Sequence, residues 1–190
     1  MVGSCEVGGG SRTAPTSLFS LSSPQKVRAM VPKFAADMMV GKLARWMKLL
    51  GYDVIYYREI DDAELVRIAR NTDRIVLTRD HHFLQYPNCE TFLLDSTDFW
   101  QQLGSVCAHF PLNFAKTLFS RCTYCNVPIH PVEKQAVEHL LPPLVREGQD
   151  KIYQCPQCEK LYWKATHVAH VKKMLKDHLG IDVDEKKGEP

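Results

Sequence analysis

Long apolar runs are missing from this sequence: nowhere do about eighteen apolar residues follow one another, which excludes a membrane-spanning helix. An excess of charge of one sign is also missing. Lys and Arg total 24 against 22 Asp and Glu, and the formal net charge of +2 is too small to imply a polyanionic partner by itself. Residues 1–30 have little acid and few large apolar side chains in any period, with Glu6 set against Arg12, Lys26 and Arg28 and with GGGS and SLFSLSS runs. This composition reads as a disordered tail, a dispensable leader. Its charge pattern faintly resembles an organellar transit peptide, but no amphipathic Arg-rich helix accompanies it. The localisation expected is therefore cytoplasmic or nuclear, with organellar targeting as the alternative. There is no internal repeat apart from two short cysteine turns.

What is present is ordinary for a folded chain of one domain, or of one domain plus a small module: 190 residues, 45% hydrophobic and 24% charged. The seven cysteines are an odd number. Four of them form two CxxC pairs, Cys122/Cys125 (CTYC) and Cys155/Cys158 (CPQC). Each pair places two thiolates on one tight turn, and two facing turns complete a tetrahedral zinc site. A thioredoxin-like motif needs one such pair, and a disulfide framework suits a secreted chain better than this one. Residues 126–154 separate the pairs by more than the usual ribbon spacing, so a zinc ribbon with an insertion is expected. Cys89 and Cys107 read as buried free thiols.

From 31 to 109 strand-like and helix-like segments alternate. KFAAD is a short apolar strand ending on Asp37. In GKLARWMKLLG, Leu43, Trp46, Met47 and Leu50 recur at helical spacing before a stop at Gly51. YDVIYY, RIVLT and TFLLD are strands, separated by DAELVRIARN, where Asp61 and Glu64 have capping-box spacing; DFWQQLGSVCAHF closes as a helix. Such alternation predicts a parallel sheet with crossover helices. Between the cysteine pairs, VEKQAVEHLL predicts a short helix stopped by Pro142 and Pro143. The end of the chain reads as a polar tail over 179–190.

Ligands of parallel α/β sheets gather beyond the carboxyl ends of the strands. Asp37, Asp61, Asp62, Asp80 and Asp95 all fall there in this reading. Converging carboxylates repel unless a cation neutralises them, and Mg²⁺ or Mn²⁺ prefers oxygen ligands. Such ions activate water and stabilise in-line displacement at a phosphodiester. Competing structural roles remain open: Asp37 or Asp61 as helix caps, Asp62 and Glu64 as first-turn acids, Asp95 or Asp98 as the cap of the helix near Phe99. Lys42, Arg45 and Arg79 read either as solvated charges or as phosphate contacts, and His81 and His82 as solvated loop residues. Between Lys151 and His178 six lysines interleave with Tyr153, Tyr162 and Trp163. Lys160, Trp163 and Lys164, with His167 and His170 nearby, suit a nucleic-acid surface, although Trp163 equally suits the ribbon's small core. A phosphatase with Asp37 as nucleophile expects an Asp two residues on, where Met39 stands.

Taken together, DMMVGKLARWMKLLGYD, DDAELVRIAR, RIVLTRD, RCTYCN and CPQCEKLYWKATH resemble, in order over about residues 33–175, the RNase domain at the C-terminus of Mut-seven-type exonucleases. The resemblance implies an α/β fold of the PIN-like kind, a parallel sheet flanked by helices over 31–115, followed by a small four-cysteine zinc ribbon over 118–178. It implies a ribonuclease dependent on Mg²⁺ or Mn²⁺ with RNA as its partner. The family's acids fall on Asp37, on Asp62 in preference to Asp61 or Glu64, on Asp80, and on Asp95 in preference to Asp98. Cys122, Cys125, Cys155 and Cys158 match the ligands of a structural Zn²⁺, leaving catalysis to the acids. A catalytically silent RNA- or ribosome-binding adaptor is the alternative.

Overall fold

Strand β1 (Lys33–Ala36) is flanked on both sides by parallel strands, and its side chains alternate between two separate apolar cores. A computed structural model describes residues 31–110, 113–163 and 166–183. The expected tail over 1–30, Lys164 and the side chain of His167 lie outside the described residues.

The elements follow as β1, α1 (Gly41–Leu49), β2 (Asp53–Tyr56), α2 (Asp62–Thr72), β3 (Ile75–Thr78), β4 (Thr91–Leu93) and α3 (Phe99–His109). The four strands form a parallel sheet in the order β2-β1-β3-β4. Phe34, Ala36, Val54, Ile75 and Leu77 face a core shared with Leu43 and Met47 of α1 and Leu103 and Val106 of α3. Ala35 and Val76 face the other way, onto Leu65, Val66 and Ala69 of α2. Helices therefore cover both faces, which explains why IVLT in β3 is buried at every position. The parallel α/β architecture expected from the sequence is the one found.

The second part contains α4 (Phe114–Thr117), β5 (His130–Val132), α5 (Lys134–Val137), α6 (Pro143–Gly148), β6 (Ile152–Gln154) and β7 (Leu161–Trp163). Strands β5, β6 and β7 make a small antiparallel sheet. The insertion is richer than the single helix expected. Pro143 opens α6 at its first helical position, where proline's missing N–H costs nothing, so the prolines start a helix as well as ending one.

The chain then returns as α7 (Thr166–Leu179), and here the expected division of the chain needs correction. Val171 and Leu175 of α7, and Val183 beyond it, are buried in the α1/α3 core. The His178 ring stacks on Trp100 of α3 at 4.0 Å. The run expected to belong to a separate ribbon module over 118–178 thus ends in a helix of the first core. Chain expected to be polar tail from 179 packs at least as far as Val183. The physical reason is the apolar spacing of Val171 and Leu175, one turn apart on one helix face, diluted in sequence by lysines. Among the described residues no helix is long and apolar enough to cross a membrane.

Candidate active site and metal centre

All four strands of the parallel sheet point one way, so their carboxyl ends share one edge. β1 runs through α1 to β2 on one side, and the chain crosses back through α2 to β3 on the other. The switch of direction lies between β1 and β3, where open parallel sheets place their ligands. Asp37 leaves β1 at this point, and its amide donates to the Leu77 carbonyl of β3 (3.0 Å).

The Asp37 side chain is only 4% exposed, and its Oδ2 accepts a 2.7 Å hydrogen bond from the Thr78 hydroxyl at the end of β3. The same hydroxyl oxygen accepts from the Asp80 amide (2.9 Å). The three groups form a chain of uniform polarity, from Asp80 N–H through Thr78 O–H to the Asp37 carboxylate. Asp37 does not cap the 3-10 turn that follows it, and among the described residues it has no ion pair. Thr78 was not anticipated; its signal is a lone hydroxyl at the end of a wholly buried strand.

The other acids divide by role. Asp61 caps α2, its Oδ1 accepting from the Glu64 amide at 2.8 Å, while the Glu64 carboxylate turns to Arg67. Asp98 caps α3 through the Gln101 amide at 3.0 Å. These assignments leave Asp62 and Asp95 uncommitted to capping. Asp62 Oδ2 stands 3.5 Å from His82 Nδ1, and the His82 amide donates to Asp80 Oδ1 (2.8 Å). His82 therefore links the start of α2 to the exit of β3. Asp80 and Asp95 are exposed, each two residues beyond the paired row that contains Thr78 and Leu93. Each of the four expected acids follows the carboxyl end of a strand. The edge does not bring three of their oxygens together, since the one such close group of potential ligands among the described residues is the cysteine set. The buried Nε of Arg79 has no hydrogen-bond partner there.

The expected basic residues are spread out. Arg45 and Lys42 are exposed on α1, with Lys42 Nζ 4.4 Å from the centre of the Phe99 ring. Lys160 Nζ lies 4.2 Å over the Tyr124 ring. Trp163 packs half-buried against Val137, Leu141 and Ile152, which commits part of its indole to the small core, the other of its two expected roles.

The second centre is the cysteine set. Sγ atoms of Cys122, Cys125, Cys155 and Cys158 all lie within 4.8 Å of one another. Cys122 and Cys158 are 3.7 Å apart, too far for a disulfide of about 2 Å. That spacing fits tetrahedral zinc, whose bonds of about 2.3 Å place sulfurs about 3.8 Å apart. Each knuckle closes alike. The residue after the second cysteine, Asn126 or Glu159, takes a left-handed φ (63° and 59°) and donates its amide to the first cysteine's carbonyl. Amides of Cys125 and Cys158 point at the first sulfur of their pairs (3.3 and 3.4 Å). Burial pushes the Cys122 thiol up, but the Tyr162 hydroxyl and the Cys125 and Tyr124 amides outweigh it and bring it down to about 6. Its neighbour Cys125 is pushed up to about 12, chiefly by its hydrogen bond with Cys158. The thiols cannot all ionise side by side without a cation, and four sulfurs with amide support suit Zn²⁺.

The first knuckle is fastened to the α/β part. Asp53 Oδ1, at the start of β2, accepts from Asn126 Nδ2 (2.9 Å) and Arg74 Nη1 (2.6 Å). Phe119 N–H and the Thr117 hydroxyl donate to the Leu49 and Leu50 carbonyls, satisfying the end of α1. The anchorage is thus at the amino end of β2, away from the carboxyl edge that holds the acids.

The model of the Mut7-C RNAse domain matches residues 32–175. The chain belongs to the Mut7-C RNAse domain family. The match spans both the parallel sheet and the cysteine centre, and the family's description points to a nuclease-like role. No curated protein and no solved structure matches the chain.

Proposed function

We propose that the protein is a ribonuclease dependent on Mg²⁺ or Mn²⁺, with its hydrolytic site at the carboxyl edge between β1 and β3. The observation that carries this reading is Asp37: a buried carboxylate at the switch point, held by Thr78 and lacking a basic partner among the described residues. A buried charge without an ion pair is costly unless a cation compensates it. Mg²⁺ characteristically takes one or two carboxylates and completes its shell with water, so the looser Asp62, Asp80 and Asp95 fit as outer or water-mediated ligands. When bound, the cation would supply an activated water and neutralise charge on the phosphodiester. Thr78 fixes Asp37 Oδ2 and leaves Oδ1 for the cation. Arg79, next to Asp80 at the β3 exit, suits a phosphate oxygen, and Lys42 and Arg45 suit the backbone beyond it. The cysteine centre holds zinc in a structural role.

The adaptor reading draws support from the exposed, dispersed positions of Asp80 and Asp95. Labelled single-stranded RNA incubated with protein and Mn²⁺ separates the two. Cleavage that disappears in Asp37→Asn while RNA binding persists supports the nuclease. Tight binding with no cleavage in any divalent metal sinks it and leaves the adaptor.

A further inference from the structure

A cleft of about 520 Å³ opens between α1 and the first cysteine knuckle, lined by Arg45, Lys48, Leu49, Tyr56, Arg58, Thr123 and Tyr124. No acid lines it. Three cations do, and among the described residues none of them has an ion pair with a carboxylate. Lys48 is 9% exposed, and among the described residues no protein hydrogen bond holds its ammonium group. Burial strips its charge of hydration, while Asp53, Cys122 and Cys125 nearby already balance part of it from the knuckle side. Two phenol rings complete the walls; one of them, Tyr124, is 68% exposed and has Lys160 against one face.

The position of the cleft ties it to the acids. Tyr56 ends β2 paired with Ala36, the residue before Asp37. Its hydroxyl occupies the space beside Gly41, where a Cβ would meet it at 2.3 Å. The cleft therefore begins next to the β1 exit and runs along α1 to the knuckle.

We propose that this cleft is a phosphate-binding track for single-stranded RNA, with Arg45 and Arg58 gripping the backbone and Tyr124 stacking an unpaired base. The inference rests on the ribonuclease reading for its ligand, and it adds Arg58 and Tyr124 to Arg45 on the α1 side. Exposed arginines in a cleft that no acid lines are what polyanion contact requires. An exposed aromatic beside them provides the sequence-tolerant stacking typical of single-strand sites. A duplex offers no unpaired base for that stacking. The cleft also gives the zinc centre a purpose, since the knuckle supplies Thr123 and Tyr124 as one wall.

The test uses zinc-replete protein and a fluorescent single-stranded RNA oligonucleotide in EDTA-free buffer without divalent metal, read by anisotropy over a salt series. Arg58→Ala, Arg45→Ala and Tyr124→Ala alter exposed side chains and leave the fold intact. Each arginine variant should weaken binding about fivefold or more and lower the salt slope by about 0.7. Tyr124→Ala should weaken binding about tenfold with the slope unchanged. Wild-type affinity in all three variants, or equal affinity for duplex and single strand, overturns the cleft even if Mn²⁺-dependent cleavage is observed. Cleft-dependent binding with no cleavage in Mn²⁺ upholds the cleft and removes the nuclease instead. Absence of RNA binding by the wild type overturns the cleft outright.

Discussion

The hydroxyl of Thr78 donates to the Asp37 carboxylate at 2.7 Å, joining the exits of the two central strands through buried side chains. The hydroxyl has one proton, and its acceptance from the Asp80 amide aims that proton at Asp37. Thr78→Val keeps the shape and removes the donor. RNA cleavage should fall about 10- to 100-fold, the usual cost of losing a group that orients a metal ligand. Stability should drop by about 1–3 kcal/mol, because Asp37 and the Asp80 amide each lose a partner. Thr78→Ser should restore most of both. Unchanged cleavage by the valine variant would show that Asp37 needs no orienting hydroxyl.

Much of this architecture is legible in the sequence because it is local. The strands announce themselves as short β-branched runs, and α1 as Leu43, Met47 and Leu50 in helical period. The CxxC turns give the cysteine centre by spacing alone. Three things are not local. The Thr78–Asp37 bond depends on which strands are neighbours. The fastening of Asn126 to Asp53 joins residues far apart in the chain. Helix α7 hides its apolar stripe among lysines that read equally well as a basic surface. The acids illustrate the same limit: sequence places them at strand ends, while assigning Asp61 and Asp98 to caps requires their hydrogen-bond partners.

Gly51 ends α1 with a φ of +93°, and a Cβ there would meet the Thr117 carbonyl oxygen at 1.9 Å. Alanine incurs both the left-handed backbone penalty of about 1–2 kcal/mol and a backbone clash that no rotamer relieves. Gly51→Ala should therefore destabilise the protein by more than about 2 kcal/mol in urea unfolding. It should also loosen the 117–119 segment that leads into the first knuckle. A melting temperature equal to that of the wild type would contradict this packing.

Stability should fall at alkaline pH for an identifiable reason. Burial raises the Tyr52 hydroxyl above the usual tyrosine range, and burial pushes the Cys107 thiol up to about 11. Both groups keep their protons in the fold at pH values where the unfolded chain releases them, near about 8.5 for cysteine and about 10 for tyrosine. The folded state then binds more protons, so stability is complete below those values and declines as pH rises past them. The Tyr52 hydroxyl has no hydrogen-bond partner among the described residues. Tyr52→Phe should leave the urea midpoint at about pH 7 equal or slightly higher and flatten its decline above about pH 10. A steeper decline in the variant would place the alkaline sensitivity elsewhere.

Zinc removal should act on a bounded part of the chain. The knuckle amides of Asn126 and Glu159 bond within their own turns, and these turns depend on the sulfurs being held together. Metal analysis should return about one zinc per chain. Chelation, or Cys155→Ser, should abolish hydrogen-exchange protection at Cys122, Asn126, Cys155 and Glu159. The amides of β1, β3 and α7 should stay protected, since Leu77 and Leu175 belong to a core without cysteine ligands. The Asp53–Asn126 bond lies at the boundary, and it should report the metal state. In a double-mutant cycle with Asp53→Ala and Asn126→Ala, the zinc-bound protein should show coupling of about 1–2 kcal/mol for a bond to a carboxylate that Arg74 also engages. After chelation that coupling should vanish while the Arg74 contribution persists. Loss of α7 protection on chelation would instead mean that the cysteine centre and the α/β core unfold as one unit.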